Sequence, residues 1–342
     1  MSLRTSSAVA STSVWFPRPR AVELRDEPLA PVGARQIRVR AVASAISHGT
    51  EMLVYRGEVP ADVSLDLPTL RGAFGFPIKY GYASVGRVVD AGAGVQSLAR
   101  GALVFVHHPH QTAYDVDEEL AVRLPDDVDV EAATLLANLE TATNVVLDAH
   151  PHLGDRVVVL GQGVVGLLVT QLVRRAGASL VVAVDPIAFR REFALRLGAH
   201  EAVSPGEASA AIRELTAGVG ADIAIEASGT PSALGSALDL VAFQGSVVVC
   251  SWYGAKPVAV PLGAAFHRRR LRIVSSQVSN LDPALAPRWD RGRRLAYARS
   301  LLAELDLARL ITHRFPLAAA PEAYRLIDEH PEATLQVIFT YP

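Results

Sequence analysis

Cysteine is nearly absent: Cys250 is the only one in 342 residues. The chain therefore cannot build a disulfide framework or a four-cysteine structural zinc lobe of its own. It also lacks any uncharged apolar run long enough to read as a membrane span. Neither sign of charge dominates, with 33 basic against 35 acidic residues and a formal net charge of −2. That removes the electrostatic case for nucleic acid or an anionic membrane as a partner. The opening stretch, MSLRTSSAVASTSVWFPRPR, holds no apolar core of the signal-peptide type. Together these absences predict a cytoplasmic protein. What is present is apolar material, 50% of residues against 20% charged. That composition predicts sizeable cores, and the length predicts two domains.

One stretch organises the rest: Arg156–Asp185, RVVVLGQGVVGLLVTQLVRRAGASLVVAVD. Val157–Leu160 reads as a buried strand, and Gly161, Gly163 and Gly166 follow at the G-x-G-x-x-G spacing. An apolar helix is expected over Val164–Ala176, stopped by Gly177, and a second buried strand over Leu180–Val184. Gly161 permits the tight turn, Gly163 lets a pyrophosphate approach the backbone, and Gly166 lets helix and strand pack closely. Gln162, Val164 and Val165 complete the turn, where first-turn amides face the phosphates. Asp185 stands where an acid bonds a ribose hydroxyl. A carboxylate there repels a 2′-phosphate, so NAD is expected over NADP. Arg190 and Arg191 are read as a solvated helix start; in the NADP alternative they would hold that phosphate.

Before this stretch the chain reads as all-β from residue 14 to about 130, with strands at Gln36–Ala43, Ala83–Asp90, Ala102–Val106 and Glu119–Leu124. A helical pattern covers Val130–Ala149. After it, strands at Glu201–Val203, Asp222–Glu226, Ser246–Cys250 and Leu271–Ser275 alternate with helices at Phe189–Leu197, Glu207–Ala217, Ser232–Ala242 and Trp289–Leu305. Such alternation predicts an α/β fold with a doubly wound parallel sheet. A tail from His313, with a helix at Pro321–Glu329 and a strand at Leu335–Phe339, is too short to stand alone. It is expected to return to the first domain. Ser228, Ser251 and Ser276 follow successive strands, so they are expected at the nicotinamide end of a bound cofactor.

The blocks AISHGTEMLVYRG (45–57), KYGYASVGRVVDAG (79–92), ETATNVVLDAHPHLGDRVVVLGQGVVG (140–166), LGA (197–199) and IEASG (225–229) resemble the medium-chain dehydrogenase/reductase superfamily. The run from YRGEVP through HPHQTAY looks closest to the branch of bacteriochlorophyllide hydroxyethyl-group dehydrogenases. The resemblance implies a GroES-like β-barrel catalytic domain over 1–134, completed by 282–342. It also implies a Rossmann domain over 135–281, a nicotinamide cofactor, a small-molecule substrate and a homodimer.

The family's zinc-ligand pattern is degraded here. Counting back from Tyr55-Arg56-Gly57 puts His48 at the usual cysteine position, with Thr50 and Glu51 matching the following Thr-Asp. Counting forward from the preceding strand puts Ser47 there. Tyr82 replaces the histidine ligand, and only Glu140 fills the third position with a metal-competent side chain. Zinc does not ordinarily select a neutral serine or tyrosine, so no zinc is expected. Tyr82, Thr50 and His48 are the candidates for proton transfer and oxyanion stabilisation. Glu140, with two threonines and an asparagine on one helix, is either a cleft residue or the partner of an arginine. The expected function is a zinc-independent NAD(P)-dependent oxidoreductase that interconverts an alcohol and a carbonyl or reduces an activated double bond, and two rival readings remain. One is a metal-dependent alcohol dehydrogenase built on His48 and Glu140, with His107, His108 and His110 in reserve. The other is a dinucleotide-binding sensor without catalysis.

Overall fold

In the computed structural model, residues 10–342 are described, apart from 66, 68 and 71. The first nine residues, part of the stretch read for a leader and of the domain assigned to 1–134, lie outside the described residues.

In chain order the elements are β1 (Ala10–Trp15), β2 (Glu23–Pro28), β3 (Gln36–Ala45), α1 (Thr50–Arg56), β4 (Ser84–Ala91), β5 (Leu103–Val106), β6 (Ala113–Asp117) and β7 (Ala121–Arg123). There follow α2 (Val130–Ala133), α3 (Leu136–Ala149), β8 (Arg156–Leu160), α4 (Val164–Arg175), β9 (Leu180–Val184), α5 (Ala188–Arg196), β10 (Glu201–Val203), α6 (Ala208–Leu215), β11 (Ala221–Glu226), α7 (Pro231–Leu240), β12 (Val241–Val249) and β13 (Arg272–Ser275). The chain closes with α8 (Arg291–Ser300), β14 (Ile311–Pro316), α9 (Ala320–Glu329) and β15 (Gln336–Thr340).

Two compact units result, one running to Ala137 and resuming at Leu302–Pro342, the other Asn138–Leu301. In the first, a sheet of order β14-β15-β3-β4-β5-β7 carries β6 on β3, and β1 pairs with β2. Along β3 the early residues alternate between buried and outward, as one covered face requires. Its core is aromatic: Phe16 meets Tyr324 edge-on at 5.0 Å, and Tyr55 stacks on Tyr324 at 5.4 Å. The second unit is a sheet of order β10-β9-β8-β11-β12-β13 whose pairs are all parallel. β8 and β9 are buried beyond their first residue, because helices cover both faces of such a sheet.

Several expectations are corrected. The all-β reading of the first unit missed α1. All its central residues, Glu51 to Tyr55, are buried, so the segment shows no amphipathic period. The helix expected over Val130–Ala149 breaks into α2 and α3. α7 stops at Leu240, where Val241 turns extended and starts β12, earlier than the strand expected at Ser246. The return to the first unit begins at Leu302, not 282, because α8 carries Arg294 into a buried pairing with α3 of the second unit.

Candidate active site

In the first unit the site is built on the turn between β3 and α1. α1 has no side-chain cap; instead Glu51 reaches back to take the Ser47 N–H at 3.2 Å. Ser47 in turn receives the Tyr82 hydroxyl at 2.6 Å. Of the two registers left open by the sequence, it is therefore Ser47 that meets Tyr82. His48 is half-buried between Ser47 and Gly49, and Thr50 opens α1.

Glu51 is fully buried and accepts from three donors: the Ser47 N–H, His110 Nε2 at 2.9 Å and the Tyr324 hydroxyl. The ring nitrogen His110 Nδ1 lies 2.6 Å from Ser44 Oγ, which lies 2.7 Å from the Tyr341 hydroxyl. Every atom is satisfied when His110 carries its proton on Nε2: Tyr341 donates to Ser44, Ser44 to Nδ1, and Nε2–H to the Glu51 carboxylate. Burial and the Glu51 charge hold the Tyr324 phenol protonated. Ser44, His110 and Glu51 repeat the bonding order of a hydrolytic triad. All three are at 0% exposure, so no substrate reaches Ser44, and the set serves as an internal brace. It also fixes the backbone before Tyr82, because a Cβ on Gly81 would stand 2.9 Å from His110 Cδ2.

The other histidines separate. His107 donates from Nδ1 to the Tyr82 carbonyl at 3.1 Å. His108 stacks on Tyr114 with centroids 3.7 Å apart, and desolvation drives its pKa down to about 3. Among the described residues, no three His, Cys, Asp or Glu side chains gather to hold a metal. Lys79 is paired with Glu27 at 2.8 Å.

The second unit holds the glycine turn. Gly161 has φ +90°, and a Cβ there would fall 2.5 Å from Ser228 Cα. A Cβ on Gly166 would lie 1.8 Å from the Gly161 carbonyl oxygen. Around Gly163 a Cβ would meet nothing within 4 Å, and its φ is an ordinary −71°. The fold thus requires glycine at 161 and 166 but not at 163. Gly163 starts α4 without a side-chain cap, ahead of Val164 and the half-buried Val165. Asp185 braces this turn: Oδ2 accepts the Gln162 N–H at 2.7 Å and Oδ1 the Ile187 N–H at 2.8 Å. Each oxygen keeps a further lone pair for a ribose hydroxyl. Gln162 is buried, with its side chain bonded to the Val159 carbonyl and the Thr170 hydroxyl. Arg191 caps the Asp185 carbonyl at 2.8 Å, while Arg190 lies beside it near the start of α5.

Ser228 donates its N–H and hydroxyl to Glu226 Oε1 at 2.7 and 2.5 Å. Ser251 Oγ accepts the Gly229 N–H at 2.8 Å, and Ser276 Oγ accepts from Asn144 at 3.3 Å. Glu140 forms a buried ion pair with Arg294 at 2.8 Å, the arginine-partner alternative of the sequence reading, and Arg294 also donates to Asn144 at 2.6 Å. The polar face of α3 serves that arginine. The residues the sequence reading missed, Ser44, Tyr324 and Tyr341, meet across long stretches of chain and carry no local motif.

A β10-β9-β8-β11-β12-β13 order with a glycine turn after β8 is the dinucleotide-binding arrangement. With the largely antiparallel first unit, where only β14 and β15 pair in parallel among the described strands, it defines a two-unit oxidoreductase. The chain belongs to the zinc-binding dehydrogenase family, within the medium-chain dehydrogenase/reductases, and the family profile matches residues 164–290. It is similar to D-guloside 3-dehydrogenase of Escherichia coli K12, 31% identical over 331 residues that cover 90% of this chain and 93% of that one. The fold matches 2R,3R-butanediol dehydrogenase from Bacillus subtilis with a TM-score of 0.80 at 21% identity, over 96% of this chain and 99% of that chain. It also matches an alcohol dehydrogenase from Escherichia coli CFT073 complexed with NADH, TM-score 0.80 at 20% identity, over 97% and 99% of the two chains.

Proposed function

We propose that the protein is a zinc-independent, NAD-preferring dehydrogenase acting on a secondary hydroxyl of a sugar derivative, polyol or related alcohol. The carrying observation is Gly163. Among the described residues nothing comes within 4 Å of a Cβ there, so its bareness serves a ligand that approaches the backbone, as a dinucleotide pyrophosphate does. A bound nicotinamide dinucleotide supplies the hydride acceptor or donor. The chain supplies the rest. Uncapped amides of α4 face the phosphates, and Asp185 takes the ribose and disfavours a 2′-phosphate. Tyr82, held by Ser47, gives its hydroxyl proton to the developing oxyanion or takes one from the alcohol. Thr50 and His48, on the same turn as Ser47, are the proposed route for proton exchange with solvent. Two features support zinc independence: a tyrosine stands at the usual histidine ligand position, and Arg294 neutralises the one acidic candidate. Cys250 does not substitute, since desolvation raises its thiol pKa to about 12. We also propose that the protein acts in the cytoplasm as a homodimer. Among the described residues, no helix is long and apolar enough to cross a membrane.

The test is metal content with NADH and NADPH binding on one sample, then turnover on glycosides, diols, polyols and a 1-hydroxyethyl tetrapyrrole. Tighter NADH than NADPH binding, turnover that survives chelation, and metal below about a tenth of an equivalent are expected. Near-stoichiometric zinc with chelator-sensitive turnover would overturn the Tyr82-centred reading.

A further inference from the structure

The dinucleotide reading leaves Glu226, a fully buried carboxylate at the carboxyl end of β11, without a role. Its oxygens are divided. Oε1 takes both donors of Ser228, and Oε2 takes the Tyr253 hydroxyl at 2.6 Å. A phenol that gives its proton to an anion presents its remaining lone pair outward. Burial and the Glu226 charge keep that phenol protonated, so Tyr253 is a fixed acceptor and not an acid. Beside it Ser251 accepts the Gly229 N–H and retains its own proton for donation. The loop after β11 meets the glycine turn directly, since Ser228 is what blocks a side chain at Gly161.

Ligands of this sheet lie outside the carboxyl strand ends at the switch point, here between β8 and β11. Asp185 marks the adenosine side, over β9. The other nucleoside therefore lies over β11 and β12, where its ribose and carboxamide offer hydrogen-bond donors. We infer that Tyr253, fixed by Glu226, is the hydrogen-bond acceptor for the nicotinamide-riboside half of the cofactor, with Glu226 as its positioning residue. This deepens the proposed function and rests on it.

The experiment measures NADH and ADP affinities for the full-length wild type, Tyr253→Phe, Glu226→Gln and the double variant. ADP carries the adenosine and pyrophosphate but not the distal nucleoside. Tyr253→Phe should weaken NADH about five- to tenfold and leave ADP within about twofold, which also shows that the variant is folded. Glu226→Gln should weaken NADH selectively, and the double variant should be no worse than Tyr253→Phe, because both act through one bond. Unchanged NADH affinity in Tyr253→Phe, equal losses for NADH and ADP, or additive effects in the double variant would overturn the assignment. A wild type that binds neither nucleotide overturns the dinucleotide reading itself, a separate failure seen before any variant is made.

Discussion

His108 shows what burial does to a single side chain. It is 7% exposed, lies flat on Tyr114 and stays neutral with a pKa near 3. In the unfolded chain the same ring titrates near 6.5. The folded value is the lower one, so its stability contribution is complete above pH 6.5 and is lost as pH falls toward 3. Between pH 7 and pH 5 the loss is about 2 kcal/mol, or roughly 2–3 °C in a chain of this size. In His108→Phe, which keeps the stack, thermal melts at the two pH values should lie closer together by that amount; an unchanged gap would refute it. Under the proposed mechanism Tyr82 makes the complementary case, where chemistry outweighs packing. Tyr82→Phe should lower kcat by about 10²–10⁴-fold with NADH affinity unchanged, and a kcat within twofold of wild type would remove Tyr82 from the mechanism. Tyr82 could be named as a candidate from the sequence because it occupies a motif position. Its partner Ser47 was ambiguous by one residue with His48, since only the folded turn decides which side chain faces inward. The Glu51–His110 bond joins residues on separate blocks, and no spacing rule reports such a pair.

At the scale of elements, the strand–turn–helix from β8 to α4 was legible because each of its constraints is local. Buried strands read as apolar runs, and the turn reads as glycine spacing. α1 was not legible, because a short, wholly buried helix has no polar face to set a period. β1 and β2 were missed for a related reason: β2, ELRDEP, is polar at nearly every position and half of it is exposed. The three glycines of the turn separate fold from ligand in a way the sequence motif cannot. Gly166→Ala sets a Cβ against a backbone oxygen 1.8 Å away, with no flexible atom to yield, so it should cost several kcal/mol or prevent soluble expression. Gly163→Ala meets empty space at a φ that alanine adopts freely. Its melting temperature should stay within about 1–2 °C of wild type, the entropy gain of alanine being offset by a poorer N-cap. NADH affinity should fall at least tenfold. Equal NADH affinity in Gly163→Ala would remove the observation on which the function rests.

At the scale of the whole molecule, the unequal edges of the parallel sheet bear on assembly. β10, at one edge, is only three residues long and begins with the exposed Glu201, a length and charge that discourage further pairing. β13, at the other, has no proline and leaves Ile273 37% exposed, while Phe243 at the start of the neighbouring β12 is 64% exposed. An unpaired row of backbone donors and acceptors beside exposed apolar side chains is a surface that another strand completes. In the proposed homodimer a second copy about a twofold axis would pair β13 with its own counterpart, satisfying both edges and continuing the sheet across the interface, and a twofold closes such an assembly at two copies. Sedimentation at about 10 μM should therefore show a dimer for the wild type. Ile273→Glu places like charges across the twofold and should give a monomer that still binds NADH, since the glycine turn lies three strands away at β8. A monomeric wild type, or a variant that dimerises as tightly as wild type, would exclude β13 as the interface.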